Sequence, residues 1–381
     1  MRLSFLLLLL LVISANLVSG HRENSYYLFG SFGDLKVGVA IDEFGEVCMA
    51  RYFTLNDRYD HIMEGVISKD NWFEFYSYSW DQNKKERVKE DRLMVNEVEK
   101  NIWEGIWQSK NGMVQKVNLK RIVPDSLHHP YADIIKRYGI TPYSAYRTLH
   151  IKFEKVKKEK INKGAVISHV IDPESGIEWF RVLPNKKTLP QVDSINNRLI
   201  ADHLTAINAK YGCVYLGSKG DYQLSYKVHF LNKYLLSYTV TSHSACYGGP
   251  GDNIVDYHTL SIQSTLELKL EDLFWLGGKP QPQLSEGEYK WTQYRYKLFA
   301  PKIINIMRSL YPELFLAEKE DNCSYNNLKI WYFPKWYLTK KGLFLLSTSP
   351  LSSSQCKPVP QLLIPYANLT KYVANDFELG K

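Results

Sequence analysis

From Tyr26 to about Val123 apolar and polar residues alternate in short runs, LKVGVAID, EVCMARYF, HIMEGVIS, WFEFYSYSW, NIWEGIWQS and MVQKVNLKRI, punctuated by Gly, Asn and Asp. A period of two sends alternate side chains to opposite faces of a strand, so this stretch predicts antiparallel strands in a β meander or small barrel-like sheet. The charge run Asp81 to Arg92, DQNKKERVKEDR, has nearly balanced signs. It makes no strong field and reads as a solvated hairpin loop.

The next compositional break is Lys152 to Lys163, KFEKVKKEKINK, which reads as a solvated linker or edge strand. Just before it, His128 and His129 are adjacent on an extended stretch, where neighbouring side chains point opposite ways and do not share an ion. Beyond it the period changes. DSINNRLIADHLTAINAKYG places Ile195, Leu199, Leu204 and Ile207 on one helical stripe, with Asp193 or Ser194 to cap it and Gly212 as a left-handed C-terminal residue. Strands are expected in YQLSYKVHFL, LLSYTVTSH, YHTLSIQST and LELKLEDLFW. A second helix is expected over LFAPKIINIMRSLY, ending at Pro312, followed by strands IWYFPKWYLT, GLFLLST and LLIPYANL. Helices and strands interleave without regular βαβ crossovers, which predicts an α+β fold with helices packed on a sheet. The expected organisation is a β-rich domain over 21–125, a connecting segment over 126–164 and a mixed α+β domain over 165–381.

The N-terminus changes the picture of where this chain works. MRLSFLLLLLLVISANLVSGH has one early basic residue, Arg2, an apolar run from Phe5 to Ile13 and the small tripeptide Val18-Ser19-Gly20. Residues 1–20 therefore read as a secretory signal peptide cut before His21. The run is far shorter than the roughly 20 apolar residues that span a bilayer. No later stretch is apolar enough to span one, so the expectation is a secreted or periplasmic protein with no stable membrane insertion after cleavage. With 48 basic and 40 acidic residues the formal charge is +8. That favours encounter with acidic surfaces such as cell-wall polymers, but mixed signs are not a nucleic-acid footprint. Richness in Lys, Asn, Ile and Tyr suits an AT-rich bacterial genome.

The cysteines are Cys48, Cys213, Cys246, Cys323 and Cys356. In an oxidising compartment disulfides come first, and the expected pairs are Cys213 with Cys246 and Cys323 with Cys356, since each pair flanks a contiguous stretch. Sequence alone leaves the connectivity open. Cys48 is left as a small buried apolar residue.

The densest chemistry lies in YTVTSHSACYGGPGDNIVDY, residues 238–257, with His243, Cys246, Tyr247, Asp252 and Asp256, followed by His258. Zinc sites want spacings such as C-x-x-C or H-x-x-x-H, and this stretch offers only His-x-x-Cys. Its Gly-Gly-Pro-Gly run lacks both dinucleotide and phosphate-loop fingerprints. A Cys–His nucleophile needs a free thiolate, which a disulfide to Cys213 removes. The stretch therefore reads as a disulfide-pinned turn, with His243, Tyr247, Asp252, Asp256 and His258 as its ligand-contact residues. Ser354-Gln355-Cys356-Lys357, Ser324-Tyr325-Asn326 and Lys340-Lys341-Gly342 imitate the motifs of penicillin-recognising enzymes, but in the wrong order and with Pro358 after the Lys. Asn322 and Asn368 open glycosylation sequons that matter only in a eukaryotic pathway. No catalytic residue, metal or cofactor is assigned.

The second domain, over roughly 165–373, resembles the RsiV-like family, an extracytoplasmic domain found in lysozyme-sensing anti-sigma factors and beside peptidoglycan deacetylase domains. The resemblance rests on INNRLIADHL, LLSYTVTSHSACYGG, YHTLSIQSTLELKLEDLF, GLFLL, Ile364-Pro365-Tyr366 and Leu369, in that order. The family commonly has a Tyr, a Gly-Gly pair and then Ala-His in the central loop, whereas this chain has Cys246-Tyr247-Gly248-Gly249-Pro250-Gly251. The resemblance implies a non-enzymatic envelope protein that binds or inhibits a lysozyme-type muramidase, or binds cell-wall glycan. The alternative is an envelope hydrolase or deacetylase acting on peptidoglycan, its site assembled from distant residues.

Overall fold

A computed structural model describes residues 24–81, 83–123, 127–162, 164–184, 192–246, 251–278, 286–315, 325–347 and 362–374. Residues 1–20, Tyr247, Asn322, Cys323, Ser354, Cys356 and Lys357, and the expectations attached to them, lie outside the described residues.

The alternating N-terminal segments form eight strands, β1 (Ser25–Phe32), β2 (Leu35–Phe44), β3 (Val47–Thr54), β4 (His61–Ile67), β5 (Phe73–Asp81), β6 (Glu86–Glu99), β7 (Ile102–Gln108) and β8 (Val114–Arg121). Each pairs antiparallel with the next, and β1 pairs with β8, so the meander closes into a barrel with no free edge. Leu28, Val39, Ile41, Met63, Phe75, Leu93 and Val95 have no exposed surface and belong to the core that fills it. Cys48 lies in this core with a free thiol, and burial pushes its pKa up to about 12. The charge run expected as a loop is mostly strand. β6 begins at Glu86, and its cations find partners across the sheet: the Arg87 guanidinium lies 4.2 Å from the Tyr78 ring centroid, and Lys89 Nζ 3.6 Å from that of Tyr76.

Two short helices follow, α1 (Ala132–Arg137) and α2 (Pro142–Arg147). Pro142 starts α2, and the Thr141 hydroxyl accepts a hydrogen bond from Ser144 N at 3.3 Å. Tyr143 and Tyr146 of α2 pack with Ala40, Phe53 and Ile122 of the barrel wall. This contact fixes the barrel to the rest of the chain.

Next come β9 (Glu154–Asn162), β10 (Ala165–Ile171) and β11 (Glu178–Val182), an antiparallel sheet in the order β11-β10-β9. The lysine-rich segment is thus an edge strand, and pairing of β9 with β10 carries the sheet across the boundary expected at 164/165. The long helix α3 (Val192–Gly212) lays Ile195, Leu199, Leu204 and Ile207, all fully buried, into a core shared with Trp179 and Phe180 of β11. Gly212 does not take the expected left-handed conformation; it stays helical, and the turn comes at Leu216 and Gly217, between β12 (Val214–Tyr215) and β13 (Ser218–Lys219).

The second core lies across a three-stranded sheet of β14 (Asp221–Leu231), β15 (Leu235–Ala245) and β16 (Asp252–Ser261). Leu236, Tyr238 and Val240 of β15 face the α3 core, whereas Leu235 faces the C-terminal one. The expected strand LELKLEDLFW is instead a helical turn, α4 (Leu270–Leu273), because the Asp272 carboxylate captures the Lys269 N–H at 2.8 Å. Helix α5 (Tyr289–Tyr294) runs through a π-helical turn, Arg295–Phe299, into α6 (Ala300–Leu310) and then α7 (Pro312–Phe315). A last sheet, β17 (Lys335–Leu338), β18 (Gly342–Leu346) and β19 (Leu362–Pro365), closes the fold with α8 (Tyr366–Leu369). Among the described residues no helix is long and apolar enough to cross a membrane.

Candidate functional site

The outer end of β15 and β16 carries the residues singled out from sequence. Cys213 and Cys246 are joined by a disulfide that ties the end of β15 to the end of α3. Gly220 is needed beside it, since a Cβ there would come within 2.7 Å of both Cys213 Sγ and Ala245 O. The bridge leaves no thiolate at Cys246, so a Cys246–His243 nucleophile is absent.

The strand register then separates the remaining residues. Ser244 pairs with Asp252 and Tyr238 with His258, so Asp252, Asp256 and His258 share one face of the sheet. His243 pairs with Asn253 and belongs to the other face, where its ring meets Asn253 Oδ1 at 3.1 Å. The five residues therefore do not form one ligand-contact surface: alternation puts His243 opposite the other three that are described. His258 stacks on Tyr238 with ring centroids 4.9 Å apart and places Nδ1 2.9 Å from Glu267 Oε1. Through Glu267 it reaches a different place.

That place is a cleft of about 390 Å3 on the other side of β16. Tyr257 and Thr259 supply one wall, and the β16–α4 connection supplies Glu267 and Lys269. Leu268 N donates to Thr259 O at 2.8 Å, which holds this connection against the strand. The opposite wall is Trp291 and Arg295, completed by Phe333, just before β17 (Lys335–Leu338), and by Trp336 within that strand. Trp291 and Phe333 stack with centroids 5.1 Å apart. Four aromatic residues thus surround a space that also carries both signs of charge. Burial raises the Tyr257 pKa above its ordinary value, so its hydroxyl stays protonated and can donate.

One wall contains a buried ion pair. Arg295 Nε lies 2.6 Å from Glu271 Oε1 and Nη2 lies 2.9 Å from Oε2, with both side chains 6% exposed. Arg295 also begins the π-helical turn, a feature that often re-aims a side chain at a functional site. Among the described residues no group of three or more His, Cys, Asp or Glu side chains is placed to hold a metal ion. The sequence reading did not find this cleft, although the aromatic clusters YKWTQYRY and WYFPKW that line it were visible.

No protein-family model matches the chain. No curated protein matches it. Among solved structures it is similar to a DUF3298 family protein from Pseudomonas aeruginosa PAO1, at 14% identity and a TM-score of 0.27, covering 58% of this chain and 94% of that one. It is also similar to a DUF3298 family member from Bacteroides fragilis NCTC 9343, at 11% identity and a TM-score of 0.31, covering 60% of this chain and 95% of that one. Neither likeness bears on function.

Proposed function

We propose that this chain is a binding protein of the bacterial cell envelope, working outside the cytoplasm, and that its cleft holds a segment of cell-wall glycan. The observation that carries the reading is the aromatic lining of the cleft by Tyr257, Trp291, Phe333 and Trp336. Aromatic faces stack on the apolar faces of sugar rings, and the polar groups between them can satisfy the hydroxyls. The compartment is supported separately. A disulfide between Cys213 and Cys246 belongs to an oxidising environment, in keeping with the signal-like N-terminus and the RsiV-like resemblance.

Contact with a lysozyme-type muramidase is the second reading. It is favoured by the exposed end of β16, where Asp252, Asn253, Ile254 and Asp256 face solvent, on the strand paired with the one that the Cys213–Cys246 disulfide ends. The two readings separate in one experiment, calorimetric titration of the protein with soluble peptidoglycan fragments and with a panel of lysozyme-type muramidases. Saturable heat with the fragments supports the cleft. Heat only with a muramidase, with loss of its activity, supports the sheet end, and no heat with either sinks both. Chromatography of the recovered fragments tests the hydrolase or deacetylase alternative, which requires that they come back shortened or deacetylated.

A further inference from the structure

Strand β9, the outer strand of the sheet β11-β10-β9, carries its charges sorted by face. Its register shifts between Val170 and His169, which oppose Lys155 and Lys157, so that Val156 is left over as a bulge. Opposed residues of an antiparallel pair share a face, and successive residues alternate. Lys155, Lys158 and Lys160 oppose Val170, Ser168 and Val166, so all three belong to one face. Glu154, Lys157 and Glu159 oppose Ile171, His169 and Ile167 on the other, where Glu159 Oε2 lies 3.0 Å from His169 Nε2. Strict alternation would have put Glu154 beside Lys158 and Lys160 and moved Lys155 away from them. The bulge reverses both placements and leaves a face of β9 with three lysines and no acid.

These lysines are available. Residues 154–160 are all exposed, and among the described residues no ion pair engages Lys155, Lys158 or Lys160. Lysines on an edge strand also discourage pairing with another chain, but that role needs charge and no sorting by face. The bulge already interrupts the regular ladder that an added peptide strand would need, so charge is the attraction that remains. The strip runs about 15 Å from Lys155 to Lys160, at roughly 3.3 Å per residue along one strand. Val156, 50% exposed, adds one short apolar side chain, whereas a bilayer surface is gripped by several large ones beside the cations. Every cation in the strip is Lys, a point charge without the planar fork of Arg.

We propose that this face of β9 is a docking strip for a linear polyanion, read by charge density, with Lys155, Lys158 and Lys160 as its contacts. None of the three lines the cleft, so the strip does not rest on the glycan reading.

The test is titration of the full chain with long-chain inorganic polyphosphate over a series of salt concentrations. Wild type should bind saturably and more weakly as salt rises, each contacted lysine adding about 0.7 to the slope of log affinity against log salt, as on single-stranded nucleic acid. Lys155→Gln/Lys158→Gln/Lys160→Gln should lower that slope by about 2 and weaken binding at least tenfold in low salt. Such a loss at an unchanged denaturant midpoint supports the strip. The variant Lys329→Gln/Lys340→Gln/Lys341→Gln removes the same net charge from exposed positions elsewhere and should bind within about twofold of wild type. Equal losses in the two triple variants would show attraction to net charge alone and overturn the strip, as would a wild-type protein that ignores polyphosphate. Vesicles of anionic phospholipid form the other arm: binding to them but not to polyphosphate, lost in the first variant, replaces the polymer by a membrane surface and overturns the proposal.

Discussion

Two buried arginine–carboxylate pairs occupy different regions, one inside packed structure and one in the wall of a cleft. Arg147 of α2 pairs with Asp60, which follows β3, with side chains 2% and 4% exposed. Tyr143 Oη donates to the same Asp60 oxygen at 2.6 Å, and Asp60 N donates to Tyr211 O of α3 at 2.9 Å. The pair thus ties the barrel, α2 and α3 together. Its Nε has no hydrogen-bond partner, but the guanidinium lies 4.8 Å from each of the ring centroids of Phe53 and Tyr143 inside packed structure. Arg295 likewise has nitrogens without a hydrogen-bond partner, Nε and Nη1, but the residue lines a cleft. Similar chemistry is enclosed by packed structure in one place and borders a cleft in the other.

Breaking the staple should produce the largest effect. Asp60→Ala leaves the Arg147 charge buried and unpaired, which costs roughly 3–5 kcal/mol and should appear as a lower denaturant midpoint for the whole chain. Replacing Cys213 and Cys246 together by Ser removes a link with a sequence separation of 33, expected to cost about 3–4 kcal/mol. Because the disulfide lies at the far end of β15, saccharide titration of that variant should be unchanged. Glu271→Ala should cost less than the staple, about 1–3 kcal/mol, because water in the cleft can hydrate the freed Arg295. It should also turn the cleft toward sugars bearing a carboxylate. An equal loss of stability in Asp60→Ala and Glu271→Ala would erase the contrast.

An effect confined to acid pH belongs to neither pair and serves as a control. Burial, with help from the Arg181 charge, lowers the His203 pKa from 6.5 to about 3. The folded protein therefore holds His203 neutral where the unfolded chain binds a proton. Its contribution is intact above pH 6.5 and is lost as the pH falls toward 3, by up to about 1.4 kcal/mol per pH unit. The variant His203→Gln should flatten the acid limb of stability against pH. A limb as steep as before would assign acid sensitivity elsewhere.

Much of the fold was legible in the sequence because one face of each element is buried. The barrel follows from strict alternation in segments such as LKVGVAID, and α3 from a stripe whose four members are all buried. Local capture of the backbone was harder to see: Asp272 converts an alternating LELKLEDLFW into a helical turn. The site was less legible than the fold for a topological reason. Its walls come from segments around 257, 268, 293 and 334, brought together only by tertiary packing. Trp291 and Phe333 in sequence look the same whether they fill a core or border a cleft. The residues that did stand out, His243 and Asp252 among them, are neighbours along the chain that the sheet register sends to opposite faces.

The most direct test of the glycan-binding cleft is calorimetric titration of soluble peptidoglycan fragments into the wild-type protein and into Phe333→Ala/Trp336→Ala, with His243→Ala as the comparison. Removing two aromatic faces should weaken binding at least tenfold, on the order of the contribution of stacked rings, while His243→Ala binds like wild type. Undiminished binding by the double variant, or a loss confined to His243→Ala, would contradict a glycan site in the cleft.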